Sequence, residues 1–207
     1  MKRIHEVKID TPEYYDEKIW AQEVNTRPYY DTVRMQALIE KVKDGDRVID
    51  LGAGCFGAAQ FLAEKTQVRA YINAVDYSRV ARELVTERVR LVQPHYFHSF
   101  QYFTEDVLHT GFKAAAAEVV IAGEVIEHIE NPPDLVKEIA RICKPGGWMV
   151  ISTVDNSCAD AIAHGDYPEH LWAWEDDIDG LVSMFAPYGK PRYYLVGDYH
   201  FVETQRS

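Results

Sequence analysis

Residues 48–57 read Val48-Ile49-Asp50-Leu51-Gly52-Ala53-Gly54-Cys55-Phe56-Gly57, an apolar run that breaks into glycines. Arg47–Leu51 reads as a short buried strand. The glycines after it let the backbone turn sharply and approach a ligand closely, with a helix N-terminus beyond; that helix is expected around Ala58–Lys65. Gly52, Gly54 and Gly57 fit the spacing G-x-G-x-x-G, and Asp76 follows about twenty residues on, where such folds place an acid for a ribose hydroxyl. Alone, the pattern leaves a nicotinamide dinucleotide and any other adenosine-containing ligand equally open.

Working outward, strands and helices alternate. Arg69–Val75 reads as a second strand, and Ser78 is placed to cap a helix running to about Leu91. Phe97–Phe103 and Glu118–Ala122 are strand-like. Asn131 can cap the next helix, Pro132 suits its first turn, and Leu135, Ile139 and Ile142 recur on one face. Lys144-Pro145-Gly146-Gly147 stops it. Trp148–Thr153 is then a strand, Trp174–Phe185 a helix, and Pro191–Val196 with Tyr199–Glu203 a hairpin around Gly197-Asp198. This alternation predicts an α/β fold with a doubly wound, mostly parallel sheet and an antiparallel C-terminal edge. The first 45 residues, with Tyr14, Tyr15, Trp20, Tyr29 and Tyr30, read as a helical lid or flank on a binding domain at 46–207, the whole forming one globular unit.

Composition narrows the setting. Among the 207 residues 47% are hydrophobic and 27% charged, enough apolar chain for a core without staples. No run approaches a membrane span, and the opening MKRIHEVKID has no apolar stretch behind its charge, so no secretory signal is expected. Cys55, Cys143 and Cys158 are odd in number and form no C-x-x-C pair, which points to a reducing, cytoplasmic compartment. The net charge of −11 disfavours a broad nucleic-acid footprint.

Asp50, an acid two residues before the first glycine, resembles motif I of the class I S-adenosylmethionine-dependent methyltransferases, whose sheet is Rossmann-like with a reversed C-terminal strand. Many members place the third glycine one position earlier, where this chain has Phe56. The resemblance extends over about residues 45–155: AVDYS (Ala74–Ser78), TEDVL (Thr104–Leu108), GEVIEHIENP (Gly123–Pro132) and KPGGWMVIST (Lys144–Thr153) are similar to successive segments of that family. It implies S-adenosylmethionine as cofactor, held by Asp50, Gly52, Ala53, Gly54, Asp76, Tyr77, Asp106, Val107 and Gly123. Asp76 would take both ribose hydroxyls, Tyr77 would lie against the adenine, and Asp106 would meet the adenine amino group. Methyl transfer is a direct displacement that needs alignment and water exclusion rather than a covalent intermediate. The expected reaction is methylation of an oxygen or nitrogen of a small molecule.

If Glu124 begins a helical turn, Glu124, Glu127 and His128 share one face, a spacing that suits a divalent metal. The triplet resembles those of the ubiquinone-biosynthesis O-methyltransferases and the small-RNA 2′-O-methyltransferases; in the latter, EHLWAWEDDI (Glu169–Ile178) would make His170 a fourth ligand. The plainer reading is a glutamate bonded locally and a histidine packed near the cofactor, and no metal is assigned. His128 and His170 are candidate bases, as is His164, which like His170 flanks the loop after the fifth strand; an exposed or simply bonded side chain is the bland alternative. Trp172, Trp174 and residues 155–174 could line an acceptor pocket, though core packing explains the tryptophans too. Cys55 reads as a small filler. Three rivals stand beside this reading: metal-assisted methylation of a ribose or catechol hydroxyl, a nicotinamide-dependent oxidoreductase (against which Asp50 and the lack of a second substrate domain argue), and a cofactor-binding module without catalysis. Oligomeric state is left open.

Overall fold

A computed structural model describes residues 2–4, 11–14, 16–17, 32–55, 57–95, 99–157, 170–174 and 176–207. Its strands are β1 (Lys2–Arg3), β2 (Arg47–Leu51), β3 (Tyr71–Asp76), β4 (Phe100–Thr104), β5 (Ala117–Gly123), β6 (Cys143–Val154), β7 (Trp172–Ala173), β8 (Arg192–Val196) and β9 (Tyr199–Gln205). Helices α1 (Thr32–Ile39), α2 (Ala58–Lys65), α3 (Arg79–Val92), α4 (Pro132–Ile142) and α5 (Ile178–Ser183) flank them. Seven strands form one sheet in the order β4-β3-β2-β5-β6-β9-β8. From β4 to β6 every pairing is parallel, and β9 runs antiparallel to both β6 and β8. The expected hairpin forms, but β9 enters the sheet beside β6 and leaves β8 at the edge.

The central strands are near-continuous apolar runs because both of their faces are covered. In β2, Val48 belongs to the core with Met35 and Leu38 of α1, Phe61 and Leu62 of α2 and Val85 and Val89 of α3; Ile49 and Leu51 belong to the opposite core with Leu135 and Ile139 of α4. Because α1 packs into the core of the sheet, this part of the first 45 residues is integral to the domain. Tyr15, Trp20, Tyr29 and Tyr30 lie outside the described residues.

Three local expectations change. Asn131 makes no side-chain cap: Pro132 and Pro133 remove two first-turn N–H donors, and its amide donates instead to Asp134 (2.8 Å). The helix expected from Trp174 begins at Ile178, because Asp177 caps it through the Gly180 N–H (2.9 Å), while Trp174 is fully buried in the core before it. Helix α4 ends at Ile142, just before the expected stop at Lys144–Gly147, but β6 begins at Cys143 rather than Trp148, its pairing with β5 jumping from Cys143 to Trp148.

Ile139 on α4 has no solvent exposure. Ile139→Ala should lower the unfolding free energy by about 2–5 kcal/mol in urea titration, the range for truncating a packed aliphatic side chain; a loss under half a kilocalorie would mean that α4 is not docked as described.

Candidate active site

The glycine turn is pinned to the neighbouring strand, since Gly52 and Ala53 both donate to the Val75 carbonyl (2.8 and 3.0 Å). Two of its glycines are required by space. A Cβ on Gly52, whose φ is +70°, would stand 2.2 Å from Val125 Cγ2, and one on Gly57 would stand 2.2 Å from the Ala53 carbonyl oxygen. The third glycine of this chain is therefore needed where it is. Gly54 (φ +48°) donates its N–H to Asp76 Oδ2 (3.0 Å), and its carbonyl accepts from the Tyr102 hydroxyl (2.9 Å).

Asp76, at the end of β3, takes the Ser78 N–H on its other oxygen (2.9 Å). Each oxygen thus keeps acceptor capacity for one hydroxyl of a vicinal diol. Burial raises its pKa, opposed by these N–H bonds. The Ser78 hydroxyl donates to Asp16, so an acid of the N-terminal stretch stands beside the ribose-type acid. Tyr77, next in the chain, is half-buried.

Asp50 has a different occupation. Its Oδ2 accepts the Ala59 N–H (2.7 Å) at the start of α2, a helix whose own cap residue, Gly57, has no side chain to offer. The acid that distinguishes the motif caps this helix from the strand end; burial pushes it up to about 7. Asp106 is exposed and accepts from Leu108 N (2.9 Å), with His109 Nδ1 at 3.2 Å, whereas Val107 is buried. Gly123 ends β5, where a Cβ would stand 2.9 Å from Leu38 Cδ1 of α1.

That close approach brings in Arg34, one helical turn before Leu38, which sequence reading did not single out. Its guanidinium lies 4.8 Å from the Tyr199 ring centre and 3.7 Å from Glu124, and its charge favours the ionised forms of Asp50 and Glu127. The signal for it was the i, i+4 spacing to a buried leucine on an otherwise half-exposed helix.

Glu124 does not begin a helical turn. Its φ is +57°, and it accepts from Ser152 Oγ (3.1 Å) beside Arg34, so the expected shared face of Glu124, Glu127 and His128 does not form. A single 3-10 turn, Ile126–His128, follows it. What assembles instead is Glu127, His128 and His170, whose candidate donor atoms lie within 4.8 Å of one another. His170 Nε2 stands 4.0 Å from Glu127 Oε1, and the two imidazoles meet edge to face with centroids 4.8 Å apart. His170 Nδ1 faces Asn156 Oδ1 at 3.4 Å. Glu127 is fully buried, and among the described residues neither carboxylate oxygen has a hydrogen-bond partner. Burial first, then the charge of Glu124, drive its pKa well above the usual carboxylate range. His164 and Cys158 lie outside the described residues. Trp172 donates its indole N–H to the Ile129 carbonyl (2.7 Å), and with Trp174 it belongs to the core. Cys55 is a buried filler, as expected.

The family model for a methyltransferase domain matches residues 23–193. The chain belongs to that family. Its domain is of the class I, S-adenosylmethionine-dependent type, and the nicotinamide reading is set aside. It is 29% identical over 133 residues to a malonyl-[acyl-carrier protein] O-methyltransferase of Marinomonas sp. (strain MWYL1), covering 64% of this chain and 44% of that protein. It is 30% identical over 135 residues to a ubiquinone biosynthesis O-methyltransferase of Roseobacter denitrificans, covering 63% and 50%. The chain thus spans about half the length of the curated relatives it matches. In fold it is similar to Haemonchus contortus phosphoethanolamine N-methyltransferase 2, solved with S-adenosyl-L-methionine, at TM-score 0.73 and 15% identity over 94% of this chain and 59% of that one. No helix among the described residues of this methyltransferase domain is long and apolar enough to cross a membrane.

Two measurements check the cleft. Asp76→Ala should weaken S-adenosylhomocysteine binding about 10- to 100-fold by calorimetry, the loss of one or two charge-assisted hydrogen bonds. Asp50 binds its proton more tightly folded (about 7) than at its ordinary 3.8, so the stability it contributes is full below 3.8 and is lost as pH rises to 7. Asp50→Asn should therefore flatten the pH dependence of ligand-free stability between pH 5 and 7 by up to about 1.4 kcal/mol per pH unit; an unchanged slope would show that Asp50 is ionised throughout.

Proposed function

We propose that this domain transfers the methyl group of S-adenosylmethionine to a hydroxyl oxygen of a small-molecule acceptor, held at Glu127, His128 and His170. One observation carries the proposal: a fully buried carboxylate without a hydrogen-bond partner among the described residues, facing two imidazoles at the carboxyl end of β5. A neutral hydroxyl sheds a proton as its oxygen takes the methyl, and such a cluster is suited to receive it. The curated relatives above are named as O-methyltransferases, which supports oxygen over nitrogen. The net charge of −11 favours a small acceptor over a polyanion.

The cofactor supplies an electrophilic methyl on a sulfonium sulfur. The glycine turn and Asp76 fit its nucleoside end: Gly52 and Gly57 have no room for a side chain, and both Asp76 oxygens retain acceptor capacity. Asp50 orders this turn through α2, and Tyr77, Asp106, Val107 and Gly123 frame the cleft in the roles that the family resemblance assigns. Arg34 balances the acids at the strand ends. Either His128 or His170 takes the acceptor proton, and the imidazolium that forms favours ionisation of the neighbouring Glu127, which then pairs with it.

A second reading has its own support. One carboxylate and two imidazoles within 4.8 Å of one another form a donor set that suits a divalent transition metal. Such an ion would neutralise Glu127 and lower the pKa of the acceptor hydroxyl. Glu124, turned toward Ser152, is not part of this set.

A panel of hydroxylated and amine acceptors with methyl-labelled cofactor tests the proposal. Oxygen methylation is expected, with His170→Ala or His128→Ala lowering kcat at least about 100-fold and cofactor affinity unchanged. Turnover of amines alone, or full activity in both variants, overturns it. Stoichiometric Mn²⁺ or Zn²⁺ uptake in equilibrium dialysis, lost in Glu127→Gln, would decide for the metal.

A further inference from the structure

His170 lies far along the chain from Glu127, and the backbone that follows it, residues 171–173, is held by a third segment. Leu171 donates its N–H to the Glu127 carbonyl (2.8 Å), and its own carbonyl accepts from Ile4 N (2.9 Å). Beyond it, Arg3 pairs with Trp172 and Lys2 with Ala173 in the antiparallel register of β1 and β7. The Arg3 guanidinium reaches across to Glu130 with two parallel bonds, Nη1 to Oε1 at 2.7 Å and Nη2 to Oε2 at 3.1 Å, and lies 5.5 Å from the Trp172 ring centre. The Trp172 indole closes the ring of contacts on the Ile129 carbonyl. Residues 2–4, 127–130 and 170–173 thus form one stitched unit, with His170 at its border.

We infer that Arg3 and the strand at residues 2–4 are a positioning element of the acceptor site, fixing the 170–173 backbone so that His170 stands opposite Glu127. This rests on the reading of Glu127, His128 and His170 as that site. A strand pair of two residues is marginal by itself. What holds it is the bidentate Arg3–Glu130 pair, whose planar fork supplies direction as well as attraction. With Glu130 largely exposed, that pair adds little to global stability. Its effect is local: it decides where His170 sits, and it leaves the cofactor cleft at the ends of β2 and β3 unaffected.

The test compares full-length Arg3→Glu, Glu130→Arg and the double variant R3E/E130R. The readouts are the His170 ring resonances in long-range ¹H–¹⁵N NMR, assigned by loss in His170→Gln, and S-adenosylhomocysteine affinity by calorimetry. Each single variant should shift or broaden the His170 signals while leaving the affinity within about twofold, as for sites without shared partners. The charge-swapped double variant should restore the signals. Unmoved His170 signals in both single variants, or a double variant no better than the singles, overturns the inference. Loss of cofactor affinity in step with the His170 shift overturns it as well, by showing a general structural role. None of these readouts needs an acceptor, so the inference fails or stands separately from the proposed reaction, which the His170→Ala turnover assay decides.

Discussion

Burying carboxylates at the carboxyl ends of parallel strands is the constraint on which the rest of this domain turns. Desolvation disfavours the charged form of every such group, and only donated hydrogen bonds or nearby cations offset it. Asp50 is answered by the first turn of α2, and Asp76 by the N–H groups of Gly54 and Ser78. Glu127 has no well-formed hydrogen bond among the described residues; only its own N–H and the Thr153 hydroxyl stand near enough to ease its charge. The difference separates roles. Asp50 is satisfied by the fold, Asp76 is half satisfied with room for a diol, and Glu127 is the one of the three left unanswered among the described residues.

Much of this was legible in the sequence. The glycine turn, the acid at the end of β3, the Ser78 cap and the periodic face of α4 are local patterns, each with one physical meaning, and they stand where they were expected. The acceptor side was less legible, because it depends on backbone states and distant pairings. Nothing in the residue types announces that Glu124 adopts a positive φ, and that single torsion removes it from the face it was expected to share with Glu127. Arg34 enters only because α1 lies close enough to Gly123 to exclude a side chain there. A strand of two residues such as Lys2–Arg3 carries no periodicity at all.

The residues that follow β5 sort the chemistry by face. Glu124 turns toward Ser152 and Arg34 and so joins the side where α1 packs, while Glu127, three residues later, joins His170 near the core of α4. One strand end thus serves both halves of the site. Under the proposed reaction, residues 124–130 and 170–174 form the acceptor side.

The placement of β9 has a consequence for synthesis. β6 pairs with β9 along seven residues, from Trp148–Gln205 to Val154–Tyr199, and about half a hundred residues separate the partners in the chain. While the polypeptide leaves the ribosome, β6 exists before the strand that covers its open side. Its Val150–Ile151 stretch is then an unprotected edge, the kind of template on which nascent chains aggregate. That edge stays open until β9 emerges, so slow decoding between β6 and β9 should cost yield without altering a single contact of the finished fold.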